Sequence, residues 1–145
     1  MKKDTVVLFV IVAALSALLM ARGLGRKAQT PEVFADGYTL EAARSVSAET
    51  GKPLFILATA DWCGPCQALK RGALTDAEVV AYLRDRTVSV YLEEGPNLAE
   101  IRSLGVRAYP TTLLMRGDET IGVIEGGAGP AEYLRMIRKS LGEPE

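Results

Sequence analysis

The run Trp62-Cys63-Gly64-Pro65-Cys66 limits what this chain can be more than any other stretch. Its two cysteines are the only ones in 145 residues, and two residues separate them. A Cys-x-x-Cys pair serves as a redox dithiol, as half of a metal site, or as a haem attachment point. Haem attachment requires a histidine directly after the second cysteine. That position is Gln67, and the chain has no histidine. Zinc held within one chain takes four ligands, usually Cys or His, so two thiolates would need carboxylates or a second chain. A structural disulfide would close so short a loop that the chain-entropy argument gives it little stabilising effect. The residues favour a redox dithiol and leave an inter-chain metal site and a structural clip open.

The setting of the pair bears on its chemistry. Leu54 to Ala58 is a short apolar run that fits a strand buried on both faces. After the cysteines, Gln67-Ala68-Leu69-Lys70-Arg71 are good helix formers. A cysteine at a helix N-terminus meets unsatisfied N–H groups and the positive end of the helix dipole, and both favour the nucleophilic thiolate. Cys63 is therefore expected at that end, exposed and attacking. Cys66, one turn further in, is expected to be more buried and to resolve the mixed disulfide. Gly64 permits the tight entry, and Pro65 suits a first helical turn, where its missing N–H costs little. Trp62 beside an exposed thiolate is expected to shield the site and contact substrate.

The N-terminus carries a membrane signal. Lys2-Lys3 precedes Thr5 to Ala21, an uncharged run that as a helix would span about 26 Å, slightly less than a hydrocarbon core of about 30 Å. Residues 1–21 read as a membrane anchor in preference to a cleaved signal, because Arg22 at the run's end marks a membrane border better than a processing site. The Lys pair resembles an export signal, placing the domain outside the cytoplasm. Residues 22–36, with Gly23, Gly25 and Pro31, read as a linker, and residues 37–145 as the globular domain. Charge is uneven: five basic residues and one acidic residue fall in the first 27 positions, while the whole chain has 17 Lys and Arg against 18 Asp and Glu. The remainder is net acidic, which argues against nucleic acid as a partner.

Along the domain, Thr39 is expected to cap a helix carrying Leu40, Ala43 and Val46. Thr75-Asp76-Ala77-Glu78 matches a capping box, and Asn97 with Glu100 repeats the pattern. Thr87 to Leu92 reads as a strand. Pro110 is expected as the first residue of the next strand, since it cannot donate to a ladder. Thr120 to Ile124 forms its partner, and Pro130 opens a last helix. This order implies an α/β fold with a mixed central sheet, helices on both faces and a preceding N-terminal hydrophobic helix.

From about Tyr38 to Leu141 the chain resembles the thioredoxin family. Ala60-Asp61-Trp62-Cys63-Gly64-Pro65-Cys66 after an apolar strand, Gly105-Val106 through Tyr109-Pro110-Thr111, and Gly126-Gly127 before the final helix carry the likeness. Gly51-Lys52-Pro53 before the strand and Thr75 to Val79 after the site are similar to the thioredoxin-like domains of membrane thiol:disulfide interchange reductases. The resemblance implies a thioredoxin fold, a cis bond before Pro110 with that residue facing the cysteines, and a Tyr109 backbone offered to substrate. It implies a protein-disulfide oxidoreductase with no cofactor beyond the Cys63–Cys66 disulfide and no metal. Its Gly64-Pro65 dipeptide is similar to that of reducing members. The expected role is a membrane-tethered periplasmic reductase supplied by a membrane thiol donor, against the alternatives of an oxidase or isomerase and of a non-catalytic peptide-binding adaptor. One position departs from the family. The buried acid that thioredoxins place six residues before the first cysteine is Leu57 here, so the proton of Cys66 must go to water, to the Cys63 thiolate, or to another carboxylate such as Glu93 or Glu94.

Overall fold

Every residue of Leu54–Thr59, strand β1, is buried, as the uninterrupted apolar run requires. In the computed structural model, which describes residues 3–23 and 27–143, β1 pairs in parallel with β2 (Val88–Glu93) and antiparallel with β3 (Thr111–Arg116). Strand β4 (Glu119–Glu125) pairs antiparallel with β3, so the sheet order is β2-β1-β3-β4. The helices are α1 (Lys3–Gly23), α2 (Leu40–Thr50), α3 (Gly64–Arg71), α4 (Ala77–Arg86), α5 (Leu98–Ser103) and α6 (Pro130–Ser140).

The alternation of β1 sorts the core into two layers. Phe55 and Leu57 point to one face and pack with Leu69 of α3, Val79 and Leu83 of α4, and Tyr133 and Ile137 of α6. Leu54, Ile56 and Ala58 point to the other, with Leu40 and Ala43 of α2 and Ile101 of α5. Period-2 alternation in a strand covered on both sides demands helices on both faces, and the mixed sheet has them.

Thr39 caps α2, its hydroxyl accepting the Ala42 N–H at 3.2 Å. The other two capping expectations are corrected. Thr75 lies in a 3₁₀ turn, Ala73–Thr75, and its hydroxyl donates to the carbonyls of Arg71 and Gly72 at the end of α3. Asp76 caps α4 instead, accepting from the N–H groups of Glu78 and Val79; an ionised acceptor at that position suits the helix dipole. Asn97 precedes α5 but turns its side chain elsewhere, accepting from the Glu93 N–H and donating to Glu100. Strand β3 starts at Thr111, so Pro110 stands just before it and Val106 to Tyr109 form a loop.

The stretch expected as linker contributes to the core. Pro31, Val33 and Phe34 are buried around a 3₁₀ turn, Glu32–Phe34. The Phe34 ring stacks on Phe55 with centroids 5.9 Å apart and meets Tyr91 edge-on at 5.4 Å. Burying an aromatic side chain contributes on the order of 1.5–3 kcal/mol. The packed body therefore begins at about Pro31 rather than at Tyr38.

Helix α1 contacts the domain little: its apolar side chains from Val6 to Met20 include Phe9 at 69% exposure and Leu19 at 67%. The uncharged side chains described in it run from residue 5 to residue 20, about 24 Å of helix. Among the described residues no helix is long and apolar enough to cross a membrane. The fold thus presents an N-terminal helix with an exposed apolar surface, and the crossing expected over residues 5–21 is not shown by it.

Candidate active site

Cys63 and Cys66 are disulfide-bonded, with Cα atoms 5.2 Å apart. Cys63 is the N-cap of α3, and its Sγ accepts the Cys66 N–H at 3.2 Å. A sulfur in that position receives the same N–H dipoles that favour a thiolate once the bond is reduced. Pro65 lies in the first turn of α3, as its missing donor allows.

The expectation that Cys63 is exposed is corrected. It is 4% exposed and Cys66 fully buried, and the two pack with Ala60 and against Tyr109. In the disulfide the Cys63 sulfur is turned back onto the first turn of the helix, where the Tyr109 loop covers it. The exposed feature is Trp62, at 73%. Its ring meets Tyr109 edge-on, centroids 6.1 Å apart at 80°, and its Nε1–H donates to the Glu94 carboxylate. The Tyr109–Pro110 bond is cis, as the resemblance implies. On the other side of Pro65, a groove of about 330 Å³ is lined by Pro65, Ala68, Leu69, Gly127, Ala128 and Gly129. Gly127 lies close against α3: a Cβ there would stand 3.5 Å from the Leu69 side chain and 3.8 Å from the Pro65 carbonyl.

Leu57 is buried in the layer that α3 covers, so no acid occupies the usual place behind the cysteines. A group of polar residues that the sequence reading did not assemble lies at the same end of that layer. Asp61 takes an ion pair from Lys27, and Gln67 ties the segment down by accepting from the Ala28 N–H at 2.6 Å while donating to the Asp61 carbonyl at 3.1 Å. Lys70 is 2% exposed, and its Nζ donates to the Tyr91 hydroxyl at 3.1 Å. The hydrogen bond from Lys27 holds the Asp61 carboxyl below its ordinary value. Burial, reinforced by Asp61, raises that of Glu93. Burial also pushes the Tyr91 hydroxyl up to about 12 and raises that of Tyr109. The available signal was Lys70: its spacing from Cys66 and Leu69 puts a lysine on the buried side of an amphipathic helix. Among the described residues no group of three or more His, Cys, Asp or Glu is arranged to hold a metal ion.

A dithiol capping a helix, beside a cis-proline loop at the end of a mixed sheet, defines a class of redox protein, and comparison with known proteins agrees. Residues 35–117 match the family model described as thioredoxin-like. The chain is 26% identical over 123 residues to the chloroplastic M-type thioredoxin of Chlamydomonas reinhardtii, covering 83% of this chain and 84% of that one. It is 28% identical over 107 residues to the thiol:disulfide interchange protein DsbD of Ralstonia nicotianae, covering 70% of this chain but 17% of DsbD. In fold it is similar to a solved DsbH oxidoreductase, with TM-score 0.67 at 15% identity over 81% of this chain and 87% of that one. It is also similar to a Thermus thermophilus thioredoxin, with TM-score 0.63 at 22% identity over 72% and 85%. The chain belongs to the thioredoxin-like family. With its Cys63–Cys66 pair in place it is a thiol–disulfide oxidoreductase.

Proposed function

We propose that this protein reduces disulfides of other proteins outside the cytoplasm, held at a membrane by its N-terminal segment. The observation that carries the reading is the helix-capping Cys63, whose sulfur receives the Cys66 N–H. On reduction that arrangement yields the thiolate that attacks a substrate disulfide. Trp62, Gly64, Pro65, Tyr109 and Pro110 form the substrate face, with the exposed Trp62 and the Tyr109 loop beside the cysteines as the edge along which an extended peptide would pair. Gly64-Pro65 and the similarity to part of DsbD support the reducing direction, with a membrane thiol protein as electron donor. The apolar side chains of α1, exposed among the described residues, support the tether, and Lys2-Lys3 before them supports export.

The test is substrate trapping in cells. Cys66→Ser leaves Cys63 to form mixed disulfides that cannot be resolved. The expected result is a set of covalent adducts released by dithiothreitol and absent when Cys63 is also replaced. No adduct with any protein would sink the exchange mechanism. A reduction potential well above the glutathione range would reverse the direction. Labelling of Cys63 by a membrane-impermeant thiol reagent on intact, pre-reduced cells tests the compartment, and labelling only after lysis would refute it.

A further inference from the structure

Lys70 is 2% exposed, yet its charge has no counter-ion. Among the described residues its partners are the Tyr91 hydroxyl at 3.1 Å and the Tyr91 ring, 5.7 Å from the ammonium, and no carboxylate pairs with it. A buried ammonium without an anion is costly. Lys70 follows Cys66 by four residues in α3, and both belong to the buried side of the helix. Residues four apart on a helix are neighbours, with Cβ atoms about 5–6 Å apart, and side chains lean back toward the helix N-terminus. The Lys70 stem therefore starts one turn below Cys66 and runs toward the dithiol. Its far end is fixed by Tyr91, which stands opposite Leu57. Three residues after Leu57 comes Ala60, which packs with both cysteines. The anion this corner lacks is one that reduction supplies, because opening the disulfide creates a thiol that can ionise one turn from the ammonium.

We propose that the Lys70 ammonium stabilises the Cys66 thiolate from one helical turn away, so that the resolving cysteine ionises readily although position 57 holds no acid. A neighbouring lysine favours thiolate over thiol by its charge alone. Lys70 makes no hydrogen bond to either sulfur in the disulfide; it acts through space and is a positioning residue. In the step it assists, the Cys66 S–H bond breaks and the proton leaves to solvent. The Cys66 thiolate attacks the Cys63 sulfur, forming the Cys63–Cys66 bond and breaking the bond from Cys63 to substrate. The electron pair leaves on the substrate sulfur, which takes a proton from solvent. The dithiol is oxidised and the substrate disulfide reduced. The other charged or titratable groups facing this end of α3 are Asp61 with Lys27, Glu93 and Tyr91 of β2, Glu94 with Tyr109, and Tyr133 of α6. Lys27 is already paired with Asp61, which leaves Lys70 as the buried cation free to answer a new anion.

The inference rests on the exchange reading, and one experiment separates the two. Reduced full-length protein in detergent reacts with an aryl disulfide that releases one coloured thiolate when Cys63 attacks and a second when Cys66 resolves the adduct. In Lys70→Met the pH midpoint of the second release is expected to move up by about one unit. Below that midpoint the release slows about threefold, a tenfold loss of thiolate partly offset by the greater nucleophilicity of a less acidic thiol. At alkaline pH it reaches a plateau no slower than the wild type's. There the reduction potential of the Cys63–Cys66 couple is expected to fall by about 30 mV, the same tenfold converted. Lys70→Arg, which keeps the charge, keeps the wild-type midpoint. The first release is the internal reference and keeps its pH profile in both variants. An unmoved midpoint in Lys70→Met would overturn the proposal, as would equal slowing of both releases. A midpoint in Lys70→Arg displaced as far as in Lys70→Met would also overturn it, assigning the effect to packing. Failure of the wild type to give the first release would instead sink the exchange reading itself.

Discussion

The Lys70 ammonium donates a 3.1 Å hydrogen bond to the Tyr91 hydroxyl, and Tyr91 stands opposite Leu57 in the parallel register of β1 and β2. Where the family resemblance leads one to expect a buried acid, this chain sets a buried cation against a half-buried phenol. Replacing Lys70 with Met keeps most of the volume and removes the charge that lowers both Asp61 and Glu93. Both carboxyls are expected to titrate at higher pH in Lys70→Met, read from carboxyl carbon shifts by NMR. Unchanged midpoints would show that the ammonium does not reach them.

Trp62 separates binding from stability. At 73% exposure, its removal in Trp62→Ala is expected to change stability by no more than about 0.5 kcal/mol, as for most surface positions. Its loss removes the exposed face beside Tyr109. The kcat/KM for a protein disulfide is expected to fall about tenfold, equivalent to about 1.4 kcal/mol of transition-state binding, while a small aryl disulfide is affected far less. Equal losses on both substrates would argue against a substrate-binding role.

Phe34→Ala tests whether the segment before α2 is part of the folded unit. The buried ring stacks on Phe55 and meets Tyr91, and truncating such a ring costs about 3–5 kcal/mol. Urea denaturation is expected to show a lower midpoint with the slope preserved. A midpoint near wild type would return residues 31–34 to the status of a linker.

The contact of residues 27 and 28 with α3 is expected to depend on pH. The Asp61 carboxyl is held below its ordinary value, chiefly by the Lys27 hydrogen bond. A depressed acid contributes stability that is present above its unfolded value, about 3.9 for aspartate, and lost as pH falls through the folded value. The Ala28 amide, which donates to Gln67 beside Asp61, reports the contact. Its hydrogen-exchange protection, corrected for intrinsic rates, is expected to hold at neutral pH and decline in acid, and to be weak at all pH values in Lys27→Ala. Protection indifferent to both changes would separate the segment from Asp61.

Several features were legible because they depend on local chemistry. Pro65 in a first turn, Thr39 as a cap and the buried run 54–58 follow from backbone rules that hold wherever the residues occur. Others were not, because neighbours compete. Thr75 and Asp76 both offer a capping oxygen, and the choice fell to Asp76 once the Thr75 hydroxyl found carbonyls at the end of α3. Asn97 was drawn to the Glu93 N–H across a turn. Cys63 was expected to be exposed from its place at a helix end, but its burial depends on the Tyr109 loop, which arrives from more than forty positions later.

The cis bond before Pro110 was implied by the family resemblance, whereas the sequence by itself determined the dithiol, the strand–helix junction that holds it and the absence of an acid at position 57. Each is a matter of residue type and spacing along a short stretch. Only the tertiary structure decided what stands in that acid's place. Tyr91 stands opposite Leu57 and takes the Lys70 hydrogen bond, while Asp61 is paired with Lys27 from a segment that reads locally as a linker. Their meeting is set by the parallel pairing of β1 with β2 and by α3 packing across that sheet, and no local pattern encodes a contact between residues so far apart in the chain.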